Sequence, residues 1–110
     1  MVQDFLNTAI NSAPFDSVYS AKKVHFAANE LLSTNSPLVL RRKGCKASIV
    51  ETESLKEGQR YVVLGDFTLD WNNPSYVRLQ FGIMPEDATL GMILIKQGDV
   101  WIIDNHIILI

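Results

Sequence analysis

The first third of the chain repeats its apolar side chains at the spacing of an α-helix. In segment 2–12 they recur at steps of three and four residues with polar residues between them, which predicts a short amphipathic helix. Pro14 interrupts this pattern, and Asp16 or Ser17 then offers a capping oxygen for a second helix that ends at "STNSP". The apolar stripe of that second helix is Val18, Ala21, Val24, Ala28, Leu31 and Leu32.

After Pro37 the apolar period falls to about two residues, which is the period of a β-strand. Apolar segments alternate there with turns rich in glycine, proline and asparagine, and "KQGD" joins the last two segments as a hairpin. Consecutive strands with short connections pair antiparallel, and helices that precede a sheet are typical of α+β domains. We therefore predict an α+β fold in which two N-terminal helices pack on a curved antiparallel sheet of four to six strands. The prediction treats residues 1–110 as a single domain.

The last two predicted strands are apolar on both faces, which leaves one face without an obvious cover. Leaving a large aliphatic side chain in water forgoes about 1.5–3 kcal/mol, and two short helices cover only one face of a sheet. A second copy of the protein, curling of the sheet into a partial barrel, or a ligand would each exclude water from the other face. We predict a homodimer that uses the sheet face. Strict alternation places Ile102, Ile108 and Ile110 on this dimer face, and Trp101, Ile103, Ile107 and Leu109 on the opposite face.

The composition and net charge limit which partners and which cellular compartment the sequence predicts. The 110 residues are 47% hydrophobic and 20% charged, as expected of a globular domain. A net charge of -2 gives no general attraction to nucleic acid or to an acidic membrane surface. The single cysteine, Cys45, forms no internal disulfide, and "MVQDFLNTAI" lacks the features of a secretion signal. We therefore predict a cytoplasmic protein without a nucleic-acid or membrane partner.

Asp104 and His106 are the candidate catalytic residues. At positions i and i+2 of a strand, both side chains leave the same face about 6.5–7 Å apart. A carboxylate at that distance orients an imidazole for general-base catalysis, or both groups ligate a metal. The competing interpretation is that Asp104 lies at a strand edge and His106 at a dimer seam. A third metal ligand is not evident, so we predict no metal and no cofactor.

A ligand pocket is predicted between the second helix and the sheet. Tyr19 and His25 from the helical segment would meet Asp66 and Trp71 from the longest strand there. The aromatic side chains are equally well explained as core residues. The basic run "RRKGCK" has no aromatic residue within it, and acidic residues follow it closely, so we interpret it as a solvated loop.

The closing hairpin "ILIKQGDVWIIDNHI" combines a glycine turn, a tryptophan and an apolar-Asp step. Together with two N-terminal helices and a curved sheet, it resembles the NTF2-like, cystatin-like superfamily. The resemblance implies dimerisation through the sheet face, and functions that range from small isomerases and dehydratases to non-catalytic binding modules. We predict a non-catalytic, homodimeric binding domain for a protein partner or a small apolar ligand. The alternative is a small lyase or isomerase that uses Asp104 and His106 with help from Tyr19 or Asp66.

Overall fold

The computed structural model of the protein describes residues 2–70 and 72–110. Within these residues the chain forms two α-helices, a six-stranded sheet and a two-stranded ribbon, with a 3-10 turn at Thr52–Ser54. The predicted α+β fold is confirmed, because the N-terminal helices pack on the sheet. The elements are α1 (Val2–Ile10), α2 (Ala13–Val18), β1 (His25–Ala27), β2 (Arg41–Arg42), β3 (Cys45–Lys46), β4 (Ser48–Val50), β5 (Tyr61–Asp70), β6 (Asn73–Met84), β7 (Ala88–Gln97) and β8 (Val100–Leu109).

The large sheet has the strand order β4-β1-β5-β6-β7-β8. The four long strands β5 to β8 pair antiparallel, as predicted, and the hairpin between β7 and β8 turns at Gly98, whose φ of 64° suits glycine. The short strand β1 pairs parallel with both β4 and β5, so the sheet is mixed at this end. Among the described helices, none has the length and apolar character required to cross a membrane.

The helices cover one face of β5 to β8, which we call the helix-side face; the opposite face is the outer face. From α1, the ring of Phe5 packs edge-on against Trp101 with centroids 5.7 Å apart. From α2, the ring of Phe15 packs edge-on against Phe81 at 5.6 Å. Such aromatic pairs add to the stabilisation from burying apolar area. The amphipathic stripe predicted for the first helix is confirmed by its buried residues, Phe5, Leu6, Ala9 and Ile10.

The second predicted helix is wrong in extent, since α2 ends at Val18 and the chain then enters β1. The carbonyl oxygens needed to continue this helix are bound by arginine side chains. Arg60 donates to the carbonyl of Val18 at 2.7 Å, while Arg42 donates to the carbonyls of Tyr19 and Ala21 at 2.7 and 2.8 Å. A helix needs those oxygens for the N–H groups four residues later. Contacts from distant parts of the chain therefore override the local helical stripe.

The side chain of Arg42 is fully buried where the two helices end. Its guanidinium donates to the carbonyl of Ile10, the last residue of α1, at 2.6 Å, in addition to the carbonyl of Tyr19. It lies 2.6 Å from the carboxylate of Asp16 and 5.0 Å from the ring centroid of Phe15. One planar guanidinium thus donates hydrogen bonds to carbonyl oxygens at the C-terminal ends of both helices. The interpretation of "RRKGCK" as a solvated loop is wrong at this residue, although its basic neighbours are exposed.

Two amide side chains on α1 and one directly after it hold segment 39–43 along the helix. Their oxygens accept from the backbone N–H groups of residues 39, 41 and 43 at 2.8–2.9 Å. Two of the amides also donate to the carbonyls of residues 39 and 41 at 3.1 and 2.7 Å. Successive amides are four residues apart, a rise of about 6 Å in a helix, and their backbone partners are two residues apart, about 6.6 Å in an extended chain. The two spacings therefore match. We call this set, formed by Gln3, Asn7 and Asn11, the amide ladder.

Replacing the middle amide of the ladder tests its contribution to stability. Asn7→Ala removes two hydrogen bonds to the backbone of segment 39–43, and we expect the free energy of unfolding to fall by about 1–2 kcal/mol. Thr8→Ala is the control, because the Thr8 hydroxyl bonds only within α1, to the carbonyl of Asp4, among the described residues. Urea unfolding measures both variants. Equal effects of the two substitutions would show that the ladder does not stabilise the fold.

The ion pair of Asp16 predicts how stability depends on pH. The hydrogen bond from Arg42 holds the pKa of Asp16 below its ordinary value of 3.8, and Lys43 at 3.4 Å acts in the same direction. The stabilisation is therefore complete above that ordinary value and is lost as the pH falls through the lowered pKa of the folded state. We expect Asp16→Asn to remove this acid-sensitive part of the unfolding free energy. A pH series of urea unfolding curves that is the same for both proteins would contradict the prediction.

Candidate functional site

The outer face of β5 to β8 carries a groove of about 490 Å³. Strand register arranges its residues in rows that cross the strands, and two adjacent rows form the centre. We call them the glycine row and the isoleucine row after their residues on β7. The glycine row is Asp66, Gln80, Gly91 and Ile107, and the isoleucine row is Thr68, Arg78, Ile93 and Asn105.

The glycine row runs from a polar to an apolar side of the groove, whereas the isoleucine row ends on β8 at the polar Asn105. On β5 and β6 the two rows present an acid, a threonine, an arginine and a glutamine, all exposed. On β8 the groove has an apolar rim of Ile107 at 59% and Leu109 at 57% exposure. Beside this rim Gly91 carries no side chain, and the Cγ2 of Ile107 lies 3.2 Å from the position of an added Cβ. The groove is therefore amphipathic across the strands.

Two β-bulges decide which side chains reach this face. In β5 the register shifts between Leu64 and Asp66, and in β8 it shifts where Asp104 lies between the paired residues Ile103 and Asn105. A bulge adds one residue to a strand, so the alternation of side chains reverses beyond it. Strict alternation, which the sequence prediction assumed, therefore fails in both strands.

The bulge in β8 corrects the predicted dimer face. Ile102 lies on the outer face opposite Ile95, as predicted, but Ile108 lies opposite Leu90 and packs against the core. Ile110 follows the end of β8 and is fully exposed. The three residues therefore do not share one sheet face. Beyond the bulge the outward-facing apolar residues are Ile107 and Leu109, which the sequence prediction had placed on the opposite side from Ile102.

The bulge in β8 falls within the candidate catalytic pair. Asp104 is the extra residue of the bulge, whereas His106 lies opposite Met92, a residue of the helix-side face. Both side chains are exposed. In the described part of the chain, no hydrogen bond or ion pair joins Asp104 to His106. The structure therefore shows no oriented acid-base pair among the described residues, and a catalytic role for Asp104 and His106 stays a prediction.

The predicted ligand pocket is also divided by the sheet. Tyr19 is buried on the helix side, where its hydroxyl donates to the carbonyl of Lys23 at 2.9 Å and burial raises its pKa. Asp66 is exposed on the outer face. His25 is half-buried in β1 instead of a helix, and Trp71 lies outside the described residues. Tyr19 and Asp66 cannot line one pocket, so the prediction of a shared pocket is wrong.

Within the described part of the chain, the charges in the groove have no ion-pair partners. Asp66 and Arg78 are diagonal neighbours on β5 and β6, yet no ion pair forms between them within residues 2–70 and 72–110. The structure also holds, in the same ranges, no cluster of three or more histidine, cysteine or acidic side chains suited to a metal. The groove thus offers one free carboxylate, one free guanidinium and an apolar rim, which are elements for binding.

Comparisons with known proteins add no relative to this picture: no family model, no curated protein and no solved structure matches the chain. The resemblance to the NTF2-like superfamily therefore stays a prediction. The site is consequently defined by its own geometry.

Deletion of single residues in β8 tests the role of the bulge. Removing Asp104 leaves every paired residue opposite its present partner, so we expect the free energy of unfolding to stay within about 1 kcal/mol of the parent value. Removing Ile102 instead moves the Asp104 carboxylate to the place of Ile103, which packs against the core. We expect that deletion to cost more than about 2 kcal/mol. Equal losses in urea unfolding would show that the bulge is misplaced.

Proposed function

We propose that the protein is a non-catalytic binding domain that forms a homodimer through the outer face of β5 to β8. The observation that carries the proposal is the exposed apolar rim of the groove, Ile107 and Leu109, on a strand whose other side packs on the core. Removing such side chains from water contributes up to about 1.5–3 kcal/mol each. A self-complementary surface gains this contribution from both chains of a dimer.

The size of the outer face supports a second copy as its cover. Four strands about 4.8 Å apart and ten residues long span about 19 Å by 33 Å, or roughly 600 Å² on each chain. A stable protein interface buries about 800 Å² on each partner. The outer face with its bordering loops comes close to that area. An occupant of the size of this domain therefore fits the surface better than a small ligand that fills the groove alone.

Pairing through the edge of the sheet is less favourable than packing through its face. The edge strand β8 is ten residues long, but the bulge and the charge at Asp104 interrupt its free backbone groups near the middle. Bulges and charged residues are the devices that keep edge strands from pairing with other chains. The other edge, β4, has only three residues.

The proposal also includes what the dimer binds. A dimeric module of this kind presents its remaining surfaces to a protein partner, or holds a small apolar ligand at the groove. We propose a cytoplasmic location, which the single cysteine supports, and no nucleic-acid or membrane partner, which the net charge of -2 supports.

Light scattering of the purified protein tests the proposal directly. We expect the mass of a dimer for the parent chain, and the mass of a monomer for Ile107→Glu, because the substitution would bury a carboxylate in an apolar contact. Leu31→Glu is the matched control. Leu31 is also an exposed apolar residue, at 39%, but lies in the turn after β1, away from the outer face. This control should remain dimeric.

A monomeric parent protein at concentrations well above the micromolar range would overturn the dimer. In that case binding of the apolar dye 8-anilinonaphthalene-1-sulfonate, lost in Ile107→Glu and kept in Leu31→Glu, would assign the groove to a small ligand. A dimer that survives Ile107→Glu would show that the contact lies on another surface.

A further inference from the structure

We propose that the two copies stack strand on strand in opposite directions, with a two-fold axis that crosses the strands between the glycine row and the isoleucine row. This inference rests on the proposed homodimer and adds its arrangement. Each residue of one row then faces a residue of the other row in the second copy. The distribution of polar and apolar residues, the positions of two glycines and the two charges of the groove support this arrangement.

Symmetry limits a face-to-face dimer to a small set of arrangements. The two-fold axis must lie in the plane between the sheets, and packed sheets keep their strands aligned to within about 30°. With the axis across the strands, each long strand packs against the same strand of the second copy. With the axis along the strands and through the middle of β5 to β8, β5 lies on β8 and β6 on β7 of the second copy.

The distribution of polarity favours the axis across the strands. In the other arrangement Asp66 of one chain would face Ile107 of the second copy, because both belong to the glycine row at opposite sides of the sheet. An unpaired carboxylate would then be buried against an aliphatic side chain, which is strongly unfavourable. With the axis across the strands, β8 packs on β8, where Ile107 faces the uncharged Asn105, and the polar β5 packs on β5.

Two glycines lie opposite larger side chains in the proposed stack, although Ile107 already lies close beside Gly91. In the proposed dimer, Gly91 of each copy faces Ile93 of the other copy. In the next row away from the axis, the same two-fold rotation places Gly82 of one copy opposite Tyr76 of the other. The side chains of Ile93 and Tyr76 are half-buried in the single chain. Packing a large side chain over a position without one is how facing layers interdigitate.

The two free charges become partners under the same operation. Asp66 of one chain lies above Thr68 of the second copy, one strand away from Arg78 in that copy's isoleucine row. Neighbouring strands are about 4.8 Å apart, so the long side chain of Arg78 can reach the Asp66 carboxylate. The symmetry forms this pair twice, which gives each dimer two charge-assisted contacts and fixes its register.

A charge-exchange experiment tests the arrangement in solution. Asp66→Arg places two arginines opposite each other across the axis, and Arg78→Asp places two carboxylates there, so we expect each variant alone to raise the dimer dissociation constant roughly tenfold or more. An equimolar mixture of the two variants pairs opposite charges in both contacts. We expect this mixture to regain the parent dissociation constant as a heterodimer, as measured by sedimentation velocity.

Two further variants separate this arrangement from other dimers. Glu53→Arg, on the exposed 3-10 turn, makes the same change of charge away from the outer face and should leave dimerisation unchanged. Ile107→Arg distinguishes the axes, because it would face Asp66 if the axis ran along the strands. We expect it to weaken the dimer as much as Ile107→Glu does.

The outcomes separate the two proposals. A dimer in which the mixture fails to regain affinity, or in which Ile107→Arg stays dimeric, overturns this arrangement and leaves the proposed function intact. A monomeric parent chain overturns both. Restored affinity in the mixture together with loss of the dimer in Ile107→Arg supports the strand-on-strand stack.

Discussion

The buried guanidinium of Arg42 is the interaction on which the N-terminal half of the fold depends. It binds the carbonyl oxygens where α1 and α2 end, and it pairs with Asp16 within α2. Two of these carbonyl oxygens, of Ile10 and Tyr19, would otherwise lack partners in a buried environment, at a cost of about 1–3 kcal/mol each. Together with Arg60, which binds the carbonyl of Val18, Arg42 occupies the carbonyls that a longer α2 would need. One side chain thus joins the ends of the two helices.

The amide ladder explains how this arginine reaches its position. It holds segment 39–43 extended along α1, so that the side chains of residues 40 and 42 alternate inward while residues 39 and 41 stay exposed. The backbone of this segment bonds to the amide side chains on one side and to the chain around β3 on the other, which meets the need of backbone groups for partners. The helical layer is thereby closed against one face of the sheet. No part of it is left to cover the outer face.

The parts of the fold that the sequence predicts are those set by local periodicity. The stripe of α1 and the turn at Gly98 are visible in the printed chain because neighbouring residues alone define them. Arg42 could not be predicted in the same way, since its partners lie 21 to 32 residues away and a basic run in water has the same composition. The spacing of Gln3, Asn7 and Asn11 is a usable signal, but it becomes meaningful only once segment 39–43 is placed beside it.

The outer face was assigned incorrectly because one residue reverses the alternation of a strand. Trp101 packs on Phe5 and Ile108 packs on the core, so both side chains point to the helix side although they are seven positions apart. An odd separation cannot keep one face in a regular strand, and the chain therefore needs one extra residue between them. Asp104 is that residue, and the polar run "DNH" is its sequence signal. The bulge lets Trp101 and Ile108, at opposite ends of β8, both pack on the helix side. Ile107 and Leu109 are the neighbours of Ile108 in the strand, so they point outward. The apolar binding surface is thus a consequence of how the strand fits the helices.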